Sequence, residues 1–184
     1  MSRNKIEMTL AIHNACTEPL YAVLDGIKEI ELNWKPAPES RSINEIAAHL
    51  IRVDNKFLTR LGQAPKTDAP EKGSALETLT ALKSVHKQLH FLIEGLSDDS
   101  LLFKKSPAKD AADRDTIVEH VLHSCQHNLY HLSQVIYLRR ALDRGWESPI
   151  MGWDKATRIM HIICRQNQIE VMNMSVIEKE FWSY

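Results

Sequence analysis

Three segments of this 184-residue chain repeat one pattern, a hydroxyl side chain followed three positions later by glutamate. They are Ser42-Ile43-Asn44-Glu45, Ser74-Ala75-Leu76-Glu77 and Thr116-Ile117-Val118-Glu119. In such a capping box the hydroxyl accepts from the third helical N–H, and the glutamate reaches back to the capping residue's own N–H. Each box therefore marks a helix start, and apolar residues at helical spacing follow each one. The helix opened by Ser42 runs to about Leu61, stopped by Gly62 and Pro65. That opened by Ser74 runs to about Glu94, stopped by Gly95. That opened by Thr116 runs to about Leu142, stopped near Gly145.

Ahead of these, Lys5 to Leu32 reads as a first helical region, with Ile6, Leu10, Leu20, Leu24 and Ile27 apolar. Pro19 either kinks it or opens a second piece. Asn33 to Pro38 is expected to be extended, because residues before proline avoid the α region. Ser97 to Arg114, rich in Asp, Lys and Ala, is expected to be an exposed crossover loop. Four long helices and no convincing strand predict an all-α fold, a four-helix bundle, over residues 1–146. Residues 147–184 read as a C-terminal extension. It has a helical pattern from Asp154 to about Gln168 and packs on the bundle or on a dimer partner.

Hydrophobic residues make up 43% of the chain, enough for a core, and the formal net charge is −1. That charge gives no broad nucleic-acid footprint. No run of apolar residues is long enough for a membrane span, and the N-terminus does not read as a signal peptide. The 3 cysteines, Cys16, Cys125 and Cys164, form neither a CxxC nor a disulfide framework, which suits a reducing cytoplasm. Glycine-rich phosphate loops and the GxSxG motif are absent.

The chemistry-bearing feature is a stripe of histidines in the fourth helix, His120, His123, His127 and His131. His127 and His131 stand at i and i+4, one turn apart on one face, so both rings can reach one metal ion. The stripe lies roughly opposite Ile117, Val121, Cys125, Leu132 and Val135, and so is not read as core. A solvated histidine face is the competing reading. His86 and His90 form a second i,i+4 pair in the third helix, and spacing alone does not rank the two pairs. His49, at the edge of the second helix's apolar face, would ordinarily be structural. Only its combination with a pair on another helix draws attention to it. His13 and His161 read as surface or packing residues.

Other chemistry is weaker. Asp98-Asp99 reads as a solvated turn. Cys125 lies on an apolar stripe and so lacks the access a nucleophile needs. The Glu-x-x-His pattern of ferritin-like di-iron bundles does not occur.

Three stretches taken together carry a family resemblance: Trp34-x-Pro36; Ser42 through Leu50 with His49; and His127-x-x-x-His131-x-x-Gln134-Val135-x-x-Leu138-Arg139. Across roughly residues 5 to 145 the chain resembles the DinB-like, or YfiT-like, superfamily of metalloenzymes. The resemblance implies a bundle in up-down-down-up order with a crossover connection, frequently a homodimer. It implies a divalent metal, zinc or nickel, held by His49, His127 and His131 with water completing the shell, and it sets His86/His90 aside. It further implies a thiol-dependent S-transferase or related metalloenzyme acting on a small molecule with a low-molecular-weight thiol such as bacillithiol or mycothiol. It implies no DNA binding. Gln134 is then a candidate to orient a ligand or a histidine ring, and Tyr130 and His123 are candidate pocket residues. The alternative is a metal-binding structural or stress-related interaction protein without turnover.

Overall fold

The computed structural model describes residues 4–70, 73–107 and 115–150. The chain divides into two compact units, Met1–Met151 and Gly152–Tyr184. The second, where a helix was expected from Asp154 to about Gln168 and where His161 and Cys164 fall, lies outside the described residues.

The first unit is built from helices α1 (Asn4–Leu24), α2 (Glu29–Asn33), α3 (Ile43–Arg60), α4 (Ala75–Glu94) and α5 (Ile117–Leu142). All three capping boxes form. Ser42, Ser74 and Thr116 accept from Glu45, Glu77 and Glu119, whose carboxylates return to the capping N–H groups at 2.8, 2.8 and 2.6 Å. Helix α3 ends where Gly62 takes φ +77, a left-handed conformation that glycine adopts without strain. The Gln63 N–H then closes on the Leu58 carbonyl at 2.8 Å.

The N-terminal region departs from expectation. Helix α1 runs unbroken through Pro19. Its buried residues, Ile6, Thr9, His13, Cys16, Leu20 and Val23, recur every three or four positions across the proline, so tertiary burial holds the turn that a missing N–H weakens. The break falls later, at Gly26 with φ +62, and α2 is a separate short helix. Asn33 still belongs to α2, and the extended backbone begins at Trp34.

The Ser97–Arg114 segment is not a purely exposed loop either. Asp99–Phe103 forms a 3₁₀ turn that buries Leu102, and Lys105 bridges to Thr116. The Asp99 carboxylate accepts from the Lys5 and Ile6 N–H groups at 3.0 to 3.1 Å, capping the start of α1 from across the chain.

Helix α1 packs on α4 and α5, and α3 packs on the same two helices. The pairs α1/α3 and α4/α5 therefore face each other across the bundle. One consequence bears on α5, whose 26 residues have neighbours on two sides. Val121, Cys125, Leu132 and Val135 are buried, and so are His120 and His131. The expectation that the histidine stripe lies outside the core fails for these two. His120 stacks on Phe57 of α3 with ring centroids 5.2 Å apart.

The interior also holds polar ties. His86 Nε2 lies 3.0 Å from the Asp54 carboxylate, and its Nδ1 lies 2.6 Å from the Tyr21 hydroxyl, with all three helices α1, α3 and α4 represented. His13 meets His86 edge-on at 5.7 Å. Thr78 donates to Asn44 at 2.9 Å, and Asn44 to Asn33 at 3.3 Å. Arg139, buried, donates to the Val23 carbonyl at 2.7 Å and caps the C-terminus of α1. Its guanidinium also lies 4.3 Å from the Trp146 ring.

Candidate metal centre

His49 is half-buried on α3, seven residues beyond its cap, and α5 lies alongside. This packing brings His49 Nε2 to 3.1 Å from His127 Nε2, which in turn lies 3.1 Å from His131 Nε2. The ligand atoms of the three rings all fall within 4.8 Å of one another. The planes cross steeply, at 76° and 77° along the edges that meet at His127. Edge nitrogens thus converge on a point, as in a tripod.

A divalent ion bound to imidazole at about 2.0–2.1 Å in tetrahedral geometry spaces its nitrogens by about 3.3 Å. The observed edges are close to that value. Hydrogen bonding alone serves the cluster less well. A ring nitrogen has one in-plane position, either a lone pair or an N–H. His127 Nε2 can therefore satisfy only one of its two 3.1 Å neighbours. A cation accepts all three lone pairs. The donor set fits such an ion.

Protonation agrees. Burial, then the neighbouring His131 and His49, pushes His127 down to about 4. Burial and the charge of Arg41 lower His49. Burial lowers His131, against an opposing hydrogen bond from Gln134. All three are neutral near pH 7, as ligands must be.

Gln134 bears directly on the site. Its Oε1 lies 2.7 Å from His131 Nδ1. An amide oxygen only accepts, so Nδ1 carries the proton and Nε2 keeps its lone pair toward the tripod. His127 Nδ1, by contrast, is buried with no hydrogen-bond partner. Tyr130 touches the His131 ring edge-on at 5.0 Å but is 60% exposed. His123 is exposed, lies 6.2 Å from the His127 ring and stacks on Phe57.

The remaining histidines go elsewhere. His86 belongs to the Asp54 and Tyr21 network, and His13 is buried beside it, pushed down to about 4 by burial and by His86. Cys125 is buried, and its hydrogen bond with Cys16, together with burial, pushes its thiol well above the usual range. Asp98 caps the 3₁₀ turn, and Asp99 caps α1. Among the described residues no helix is long and apolar enough to cross a membrane. Sequence reasoning missed Asp54, Arg139 and Asn44 as buried polar anchors. A carboxylate, a guanidinium and an amide carry no sign in sequence that a partner awaits them on another helix.

Neither a curated protein nor a solved structure matches the chain. The DinB superfamily matches residues 14–135, about two thirds of the chain, and the matched span contains His49, His127 and His131. On that match, and with a helical bundle as its fold, the chain belongs to the DinB superfamily.

Proposed function

We propose that His49, His127 and His131 hold a divalent cation, zinc or nickel, and that the protein is a metal-dependent enzyme of the thiol-dependent S-transferase type. The convergence of three neutral Nε2 atoms with 3.1 Å edges carries the reading. A divalent ion held by three imidazoles keeps an open position where it lowers the pKa of water or of a thiol such as bacillithiol. The chain's own residues do the rest. Gln134 fixes the His131 tautomer through the 2.7 Å contact. His123, itself packed on Phe57, stands beside His127, and Tyr130 stands against His131. The small-molecule substrate enters from the exposed side of α3 and α5, where His49 and His127 are half-buried. A cytoplasmic homodimer is the assembly that goes with this reading.

Elemental analysis of the purified protein beside the His49→Ala/His127→Ala/His131→Ala variant tests it. The expected result is about one metal per chain in the wild type and none in the variant. No metal after incubation with zinc or nickel and desalting would refute the site. His127→Ala then separates enzyme from structural site. An enzyme loses activity and keeps its fold, whereas a structural site loses helix content, because its binding energy is folding energy.

A further inference from the structure

Between α1, α3 and α4 the interior holds polar atoms that the protein's own groups leave unsatisfied. His13 on α1 is 1% exposed, and neither its Nδ1 nor its Nε2 has a hydrogen-bond partner among the described residues. Its ring stands edge-on to His86 of α4, at 89° with centroids 5.7 Å apart. His86 and Asp54 of α3 are each 2% exposed. His86 Nε2 and Asp54 Oδ2 lie 3.0 Å apart, yet neither atom has an aligned hydrogen bond among the described residues, so both keep bonding capacity. Three helices thus each bring unsatisfied atoms to one part of the core.

The chemistry of these atoms is complementary. Burial raises the Tyr21 phenol, which keeps its proton and donates it to His86 Nδ1 at 2.6 Å. The proton of His86 itself then sits on Nε2, and the Asp54 carboxylate only accepts. Burial and His86 keep His13 neutral, so its ring offers one N–H and one lone pair. Buried groups of this kind are normally satisfied, by protein or by ordered water.

Two hydrogen bonds in series span about 5.5–6 Å. Rings 5.7 Å apart whose nitrogens make no direct bond suit a bridge of one small molecule. A cation suits the place less well. Among the described residues, His49, His127 and His131 are the one set of three His, Cys, Asp or Glu side chains close enough to share an ion. A water needs no such closure, and it has two protons to donate and two lone pairs to accept with. We propose that one water molecule is bound between His13, His86 and Asp54, accepting from His86 Nε2, donating to Asp54 Oδ2 and bonding a ring nitrogen of His13. His13 thereby joins the Tyr21, His86 and Asp54 tie, and one polar chain crosses the core between α1, α3 and α4. The site uses none of the three histidines of the metal centre.

Oxygen-17 relaxation dispersion of water, measured on the full chain, counts waters held longer than the protein tumbles and is blind to hydroxyl protons. Wild type is compared with His13→Phe, which puts an apolar ring in place of the imidazole, with the fold checked by circular dichroism. Expected is a dispersion amplitude lower by about one water in the variant, with metal content unchanged. Equal amplitudes in two folded proteins would overturn the proposal. A crystal structure of the wild type decides the matter if the variant does not fold. Expected there is a water about 2.7–3.2 Å from a His13 nitrogen and from the Asp54 carboxylate. No water at that place, or the anomalous signal of a metal between the three side chains, would overturn it.

Discussion

The 2.7 Å contact between Gln134 and His131 Nδ1 is where a single side chain controls the site. Without it the His131 ring is free to carry its proton on Nε2 or to rotate. Loss of such an outer partner typically costs about 10–100-fold in metal affinity. Gln134→Leu should therefore retain the fold and lose metal about tenfold more readily to a competing chelator. Gln134→Glu, which still accepts from Nδ1, should recover most of it. Unchanged retention in the leucine variant would show that Gln134 is merely adjacent.

His13 makes a second prediction at this scale. Its folded-state value is about 4, against an ordinary 6.5, because burial and His86 disfavour its charged form. The unfolded chain therefore binds the proton more tightly. The corresponding stability is present above pH 6.5 and is lost as pH falls from 6.5 toward 4. At 1.36 kcal/mol per pH unit the loss is about 3 kcal/mol as an upper bound. Urea unfolding of wild type and His13→Leu at stepped pH should show the wild type losing stability more steeply over that window. Parallel curves would mean His13 is not held neutral by its surroundings.

At the scale of elements, helix starts and stops were legible in the sequence. Ser42, Ser74 and Thr116 cap as their spacing with Glu45, Glu77 and Glu119 implies, because a capping box is closed within four residues. Thr116 matters most, since it opens the helix that carries His127 and His131. Thr116→Ala should cost about 1 kcal/mol, or about 2–4 °C in melting temperature for a chain of this size. No change in melting would show that the Lys105 bridge, not the cap, secures this end. Where the helices depend on distant partners, sequence reading went astray. Pro19 opens no second piece of α1, because burial on both sides of it outweighs one missing hydrogen bond. The supposed exposed loop after Ser97 carries Leu102 into the core and Asp99 to the first turn of α1. These are long-range contacts that no local pattern encodes.

For the whole molecule, His86 and the His127/His131 pair serve different ends. His86 ties α1, α3 and α4 through Tyr21 and Asp54. Removing His86 strands the buried Asp54 carboxylate and the Tyr21 hydroxyl without their partner, at about 3 kcal/mol. His86→Leu should lower stability by about that amount in chemical denaturation while metal content stays at the wild-type level. Loss of metal together with retained stability would reverse the assignment of the two pairs.

The sequence by itself determined the all-α class, the three capped helix starts and the i,i+4 geometry of His127 and His131, since each follows from residues within one or two turns. Family resemblance, not periodicity, singled out His49 and set His86/His90 aside. Tertiary structure alone decided that α3 lies beside α5, so that His49 meets the pair with 3.1 Å edges. It alone buried His120 and His131, and set His13 edge-on to His86. The physical reason is common to all three. A helix's own periodicity fixes which residues share a face, but which helix that face meets is settled only when the whole bundle closes its core.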